Sequence, residues 1–92
     1  MKIALDFDET VTLDKYFWSK VILLAKNSNH EVTLVTSRPA ANYDNADIEA
    51  FAEAWKVSIV YCAFKQKSAC FQPDVWIDDY PASIPTYSEL GG

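Results

Sequence analysis

Four short apolar runs alternate along the chain with segments of helical period, and this alternation constrains the fold more than any other feature. Lys2 to Phe7 is apolar until it meets Asp6. Glu31-Val32-Thr33-Leu34-Val35 is β-branched and apolar, and runs into Thr36-Ser37-Arg38-Pro39. Val57 to Tyr61 and Val75-Trp76-Ile77 follow, the last ending in Asp78-Asp79. Between the first two runs, Asp14 is placed to cap a helix from Lys15 to about Lys26. Its apolar positions Phe17, Val21 and Leu24 are widened by Trp18, Ile22 and Ala25, and Asn27-Ser28-Asn29 stops it. A second helix, about Asn45 to Trp55, carries Ile48, Phe51, Ala52 and Trp55 on one face, with Asn42 or Asp44 as candidate caps. Thr10 to Leu13 reads as a turn or small flap, Gln66 to Phe71 as a short helix, and about 80–92 as an irregular tail.

Strands separated by helices call for right-handed crossovers and a parallel sheet. The expected fold is therefore α/β: a three-layer, Rossmann-like arrangement with a parallel sheet of about four strands flanked by helices. At 92 residues, 1–92 forms a single domain. Ligands of such sheets bind where the carboxyl ends of the strands meet a reversal of strand order. Asp6, Thr36 and Asp78 each fall at such an end.

Eight Lys and Arg stand against thirteen Asp and Glu, a net charge of −5, and the basic residues are scattered. A nucleic-acid polymer, which needs clustered cations, is not the expected partner. A phosphorylated small molecule or an accessible phosphate end held through a metal is compatible with the charge. No basic segment leads into an apolar stretch at the start, and the longest wholly apolar run is Val21 to Ala25, so the expected setting is cytoplasmic and not a membrane. Cys62 and Cys70 then read as reduced thiols, and His30 as a surface loop residue.

Asp6 and Asp8 are two apart, so an extended chain turns both carboxylates to one side. Asp78 and Asp79 arrive at another strand end. Crowded carboxylates repel by roughly 1–4 kcal/mol per pair at 4 Å in a surface-like medium. They are stable together with a cation, a lysine, or both. Magnesium suits an all-oxygen set that leaves room for water and phosphate oxygens.

The order Asp6-Phe7-Asp8-Glu9-Thr10, then a strand ending at Thr36, a lysine, and Trp76-Ile77-Asp78-Asp79 resembles the haloacid dehalogenase (HAD) superfamily, with motifs spread from position 6 to 79. The resemblance implies a magnesium-dependent phosphomonoester hydrolase acting through an aspartyl-phosphate. Asp6 would be the nucleophile and Asp8 the general acid and base. Mg²⁺ would be held by Asp6, the Asp8 backbone carbonyl, Asp78 and Asp79. Thr36, with Ser37 as the alternative, would donate to a phosphoryl oxygen. Lys67, with Lys65 as the alternative, would neutralise charge, and Arg38 is a candidate contact to substrate phosphate or carboxylate, or equally a loop salt bridge. Family members commonly insert a cap domain after the first motif or before the lysine; the short connections here imply a capless member with an open site. A homo-oligomer would supply missing walls, with Trp18, Tyr43 or Tyr80 as candidate contacts. A receiver domain would need an aspartate after the third strand, where Tyr61-Cys62-Ala63-Phe64 has none. Two alternatives stay open: a non-catalytic metal- or phosphate-binding regulatory module, and a nucleotide- or polynucleotide-directed phosphatase, which Leu34 to Pro39 resembles in its second motif.

Overall fold

A computed structural model describes residues 1–85. The strands are β1 (Lys2–Leu5), β2 (Glu31–Thr36), β3 (Ser58–Tyr61) and β4 (Val75–Ile77), and the helices are α1 (Lys15–Asn27) and α2 (Ala46–Trp55). Single 3-10 turns occupy Val11–Leu13, Lys67–Ala69 and Pro81–Ser83. The four strands form one parallel sheet, as the alternation requires, and their order is β3-β2-β1-β4. The chain builds outward from β1 to β3, then crosses back to set β4 against the free side of β1. Strand order thus reverses at β1, and the Asp6 amide extends the β1–β4 ladder by donating to the Ile77 carbonyl at 2.9 Å.

Local chemistry sets the helix ends. The Asp14 carboxylate accepts from the Phe17 amide at 3.0 Å, which starts α1. Asn29, at φ 63°, turns the chain into β2. Asn45 caps α2 in place of Asn42 or Asp44, but its side chain points back to the Pro39 and Ala40 carbonyls (2.9 and 3.4 Å); the Asp44 carboxylate accepts from Ala46 instead. The helix closes at Lys56 in the left-handed conformation, φ 57°.

Helix α2 buries Ile48, Phe51 and Ala52 and half-buries Trp55, the face its spacing predicts. Helix α1 is rotated relative to expectation. Ile22 and Ala25 are buried and Trp18 half-buried, while Phe17 and Leu24 are 52% and 70% exposed. Two apolar stripes run side by side around this helix, so periodicity alone does not choose between them. Ser19 and Ala25 decide the matter: being small and buried, they let the backbone approach the sheet. The Ser19 hydroxyl is satisfied by the Tyr16 carbonyl at 2.7 Å.

Both helices cover one face of the sheet, packing with Ile3, Leu5, Val32 and Leu34 into the main core. Complete burial of Ile22, Leu34 or Ile48 stabilises the fold by about 1.5–3 kcal/mol each. The opposite face, Ala4 and Val35, is covered by Cys62, Cys70 and Phe71 from the connection between β3 and β4. Within that connection the expected short helix is reduced to the turn Lys67–Ala69. The Ser68 amide donates to the Ile84 carbonyl at 2.8 Å, which fastens the start of the tail over this turn. The rest of the expected irregular tail lies outside the described residues. No helix among the described residues is long and apolar enough to cross a membrane.

Candidate active site

Asp6 follows directly on β1, and Asp78 directly on β4, so the β1–β4 pairing sets their carboxylates side by side at the carboxyl end of the sheet. Lys67 reaches both. Its Nζ donates to Asp6 Oδ1 at 2.7 Å and to Asp78 Oδ2 at 2.5 Å, and the residue is 2% exposed. Lys65, by contrast, is exposed. The second Asp6 oxygen accepts from the Thr10 hydroxyl at 3.1 Å, which also lies 3.5 Å from Asp79 Oδ1. The backbone amide of Tyr80 donates to Asp78 Oδ1 at 2.9 Å.

Burial raises the Asp6 carboxyl, as does the neighbouring Asp79 carboxyl, and despite the opposing effect of Lys67 it reaches about 7. Burial works against charge on Lys67, but its hydrogen bonds to Asp6 and Asp78 outweigh that and hold its ammonium above the usual lysine range. One lysine therefore leaves the acidic cluster under-compensated. Asp6, Asp78 and Asp79 each offer an oxygen within 4.8 Å of the others, a group able to hold a cation. A donor set made only of carboxylate oxygens fits a hard ion such as Mg²⁺, Mn²⁺ or Ca²⁺.

Asp8 stands apart from this group. Both its oxygens are held by Arg38, Nη2 to Oδ1 at 2.6 Å and Nε to Oδ2 at 3.0 Å. The same guanidinium grips Asp47 of α2 at 2.7 and 3.1 Å and reaches the Asp44 carbonyl at 3.5 Å. Arg38 is 8% exposed, and its guanidinium carbon lies 5.3 Å from the ring centres of both Phe7 and Tyr43. With its donors so committed, Arg38 braces Asp8 and has none directed at a substrate.

The two candidate hydroxyls diverge. Thr36 is the last residue of β2, 1% exposed, and its oxygen accepts from the Arg38 amide at 3.2 Å. Ser37 lies on the wall of a cleft of about 230 Å³ shared with Asp6, Asp8, Lys67, Asp78 and Asp79. The loop after β3 holds Ser37 in place: Cys62, Ala63 and Phe64 donate to the carbonyls of Thr36, Arg38 and Ser37 at 2.8, 3.2 and 2.7 Å. Ala63 and Phe64 take left-handed φ angles of 49° and 63° to do so, an uncommon conformation for residues with a Cβ.

Larger hollows, about 360 and 420 Å³, lie around the amino ends of the strands, but among the described residues the only three-residue acidic cluster is at the carboxyl end. His30 sits at the amino end against the chain terminus, 2.8 Å away. Burial and the adjacent Cys70 push the Cys62 thiol up to about 12, consistent with a structural thiol. Two residues of the site were not singled out from sequence. Thr10 stands out in sequence only as the last residue of the Asp6-to-Thr10 segment. Asp47 resembles any acidic residue in a helix's first turn, and nothing in sequence couples it to Arg38.

Comparison with protein-family models, with curated proteins and with solved structures finds no match.

The Arg38 clamp gives a pH expectation. Its hydrogen bond lowers the Asp47 carboxyl from 3.8 to about 2. A carboxyl depressed in the folded state stabilises the fold above its ordinary value, and the contribution disappears as pH falls through the folded value. The stability difference between wild type and Asp47→Asn, measured by urea denaturation, is therefore expected to be full at pH 5–7 and to narrow from about pH 4 downward. A pH-independent difference would remove the ion pair as its cause.

Proposed function

We propose that the chain is a magnesium-dependent phosphomonoester hydrolase of the HAD type. The observation that carries this reading is Asp6, a buried carboxylate that shares Lys67 with Asp78 and lies close to both Asp78 and Asp79. Asp6 attacks phosphorus, the bond to the leaving oxygen breaks, and an aspartyl-phosphate forms that water hydrolyses to regenerate the carboxylate. Lys67 offsets charge on Asp6 and on the arriving phosphate. Ser37, rather than Thr36, donates to a phosphoryl oxygen, because it faces the cleft. Asp8 gives a proton to the leaving oxygen and later takes one from water. Asp6, Asp78, Asp79 and the Asp8 carbonyl are the groups that would hold Mg²⁺, which when bound supplies positive charge opposite the phosphate. The open cleft, with only the Val11–Leu13 turn after the first motif, accords with a capless site taking a small phosphorylated molecule or an accessible phosphate end, a nucleotide's included.

One observation favours a second reading. Both Asp8 oxygens are engaged by Arg38, and they must be released before Asp8 reaches a leaving group. A regulatory module that binds metal and phosphate without turnover would have no need of that release.

The deciding measurement is hydrolysis of an aryl phosphate with and without EDTA, alongside calorimetry of Mg²⁺ binding. Metal-dependent turnover is expected, together with weakening of Mg²⁺ binding by about tenfold or more in Asp78→Ala. Inert wild type that still binds Mg²⁺ supports the regulatory module. An unchanged isotherm in Asp78→Ala removes that residue from the metal site.

A further inference from the structure

The rotation of α1 that turns Trp18, Ile22 and Ala25 toward the sheet leaves its second apolar stripe at solvent. Leu13, Tyr16, Phe17 and Leu24 are 73%, 74%, 52% and 70% exposed, a row of large apolar side chains at helical spacing facing solvent. Within that patch stands Lys20, its Nζ 4.9 Å from the Tyr16 ring centre. Helix α1 carries three lysines and no acidic residue. The neighbouring helix has the converse outer face: Ala46, Ala50 and Ala54 leave it smooth, and the exposed charges Glu49 and Glu53 are acidic, with no basic residue in the helix. The two helices lie on the same face of the sheet. They also run in the same sense, since each returns the chain between parallel strands.

We propose that this helical face is the interface of a homodimer in which α1 packs on α2 of a second copy, and α2 on its α1. A two-fold axis lying in the interface along the helix direction produces this arrangement and makes the two contacts identical. Large apolar side chains of α1 then meet the alanines of the other copy, and Lys20 meets its Glu49 and Glu53. The competing self-pairings are poorer. Stacking α1 on α1 opposes lysine to lysine and large side chain to large side chain; stacking α2 on α2 opposes glutamates. Helices of 13 and 10 residues, rising about 1.5 Å per residue, give a face roughly 20 Å on a side. Burying about 800 Å² over both copies, it lies below the ordinary range of stable interfaces, so the association is a weak, concentration-dependent one. The axis direction puts both catalytic clefts at one end of the dimer. Leu13 also lines a groove that shares Asp78 and Asp79 with the cleft, so the start of the second copy's α2 would stand at its rim. The pairing is argued from the helices alone and holds whether or not the chain is a phosphatase.

Sedimentation velocity over roughly 1–300 µM tests it. The wild type is expected to pass from monomer to dimer across that range. Lys20→Glu and Glu53→Lys, both at exposed positions, are each expected to weaken association about tenfold or more, and the double variant to recover it. Far-UV circular dichroism confirms that the variants fold. A monomer at every concentration, its face left to some other protein, overturns the proposal. So does a dimer that Glu53→Lys leaves unaffected or that Lys20→Glu tightens, which would be α1 on α1, and so does failure of the double variant to recover.

Discussion

Asp6→Asn is expected to reduce metal-dependent hydrolysis of an aryl phosphate by roughly 10³-fold or more while leaving the protein folded. The size of the effect follows from the role: an amide oxygen of the same shape does not attack phosphorus, and the Asp78 and Asp8 carboxylates are already engaged. Asp78 is held by Lys67 and the Tyr80 amide, and Asp8 is clamped by Arg38. The fold should survive because the Asn oxygen still accepts from Lys67, and the Thr10 hydroxyl, now opposite an NH₂ group, turns from donor to acceptor. Rapid acid quench after mixing with substrate should trap phosphate on wild-type protein and none on the variant. Turnover by Asp6→Asn equal to wild type would eliminate the covalent route, whatever the remaining residues do.

Lys67→Met carries the largest expected effect on stability. Removing one partner of a buried ion pair leaves the other charges uncompensated, and here two carboxylates depend on the one ammonium. A loss of about 3–5 kcal/mol is expected in EDTA, measured by urea denaturation at neutral pH. Saturating Mg²⁺ should return part of that loss and stabilise the variant more than the wild type, because the metal supplies positive charge that the lysine no longer does. Activity should fall as well, since the phosphate loses the same charge. A stability change under about 1 kcal/mol would mean that the carboxylates relax into solvent and that Lys67 is not what holds them together.

Much of this was legible in the sequence, for a physical reason in each case. A strand buried on both faces reads as an unbroken apolar run, so β2 is found within a residue of where the pattern puts it, and the half-buried edge strand β4 also falls at Val75–Ile77 as its apolar triplet predicts. Because β1 and β4 are neighbours, the acidic residues that end them share one pocket, and Lys67 emerges at the head of a turn facing it. Two features resisted. A helix apolar around more than half its circumference does not declare its inward side, and α1 chose the stripe with small residues. The hydroxyl facing the cleft depended on whether β2 ended at Val35 or Thr36, a difference of one residue that reverses which side chain points where. That Arg38 forms a salt bridge was an open reading, but its partners Asp8 and Asp47 were not legible, because they lie on a loop and a helix start whose meeting only the folded chain reveals.

The thin cover on the second face of the sheet has a further consequence. Helices protect one face, but among the described residues the other is covered chiefly by the stretch from Cys62 to Phe71, and that same stretch delivers Lys67. Packing of Cys62, Cys70 and Phe71 against Ala4, Val35 and Trp76 is shallow compared with the main core, so this flank opens with a smaller free energy than the whole domain. When it lifts, the lysine leaves with it. The Asp6–Lys67–Asp78 cluster is therefore expected to open on warming while the helices persist, and amide exchange earlier in the Lys67 segment than in α1 and α2 would show it.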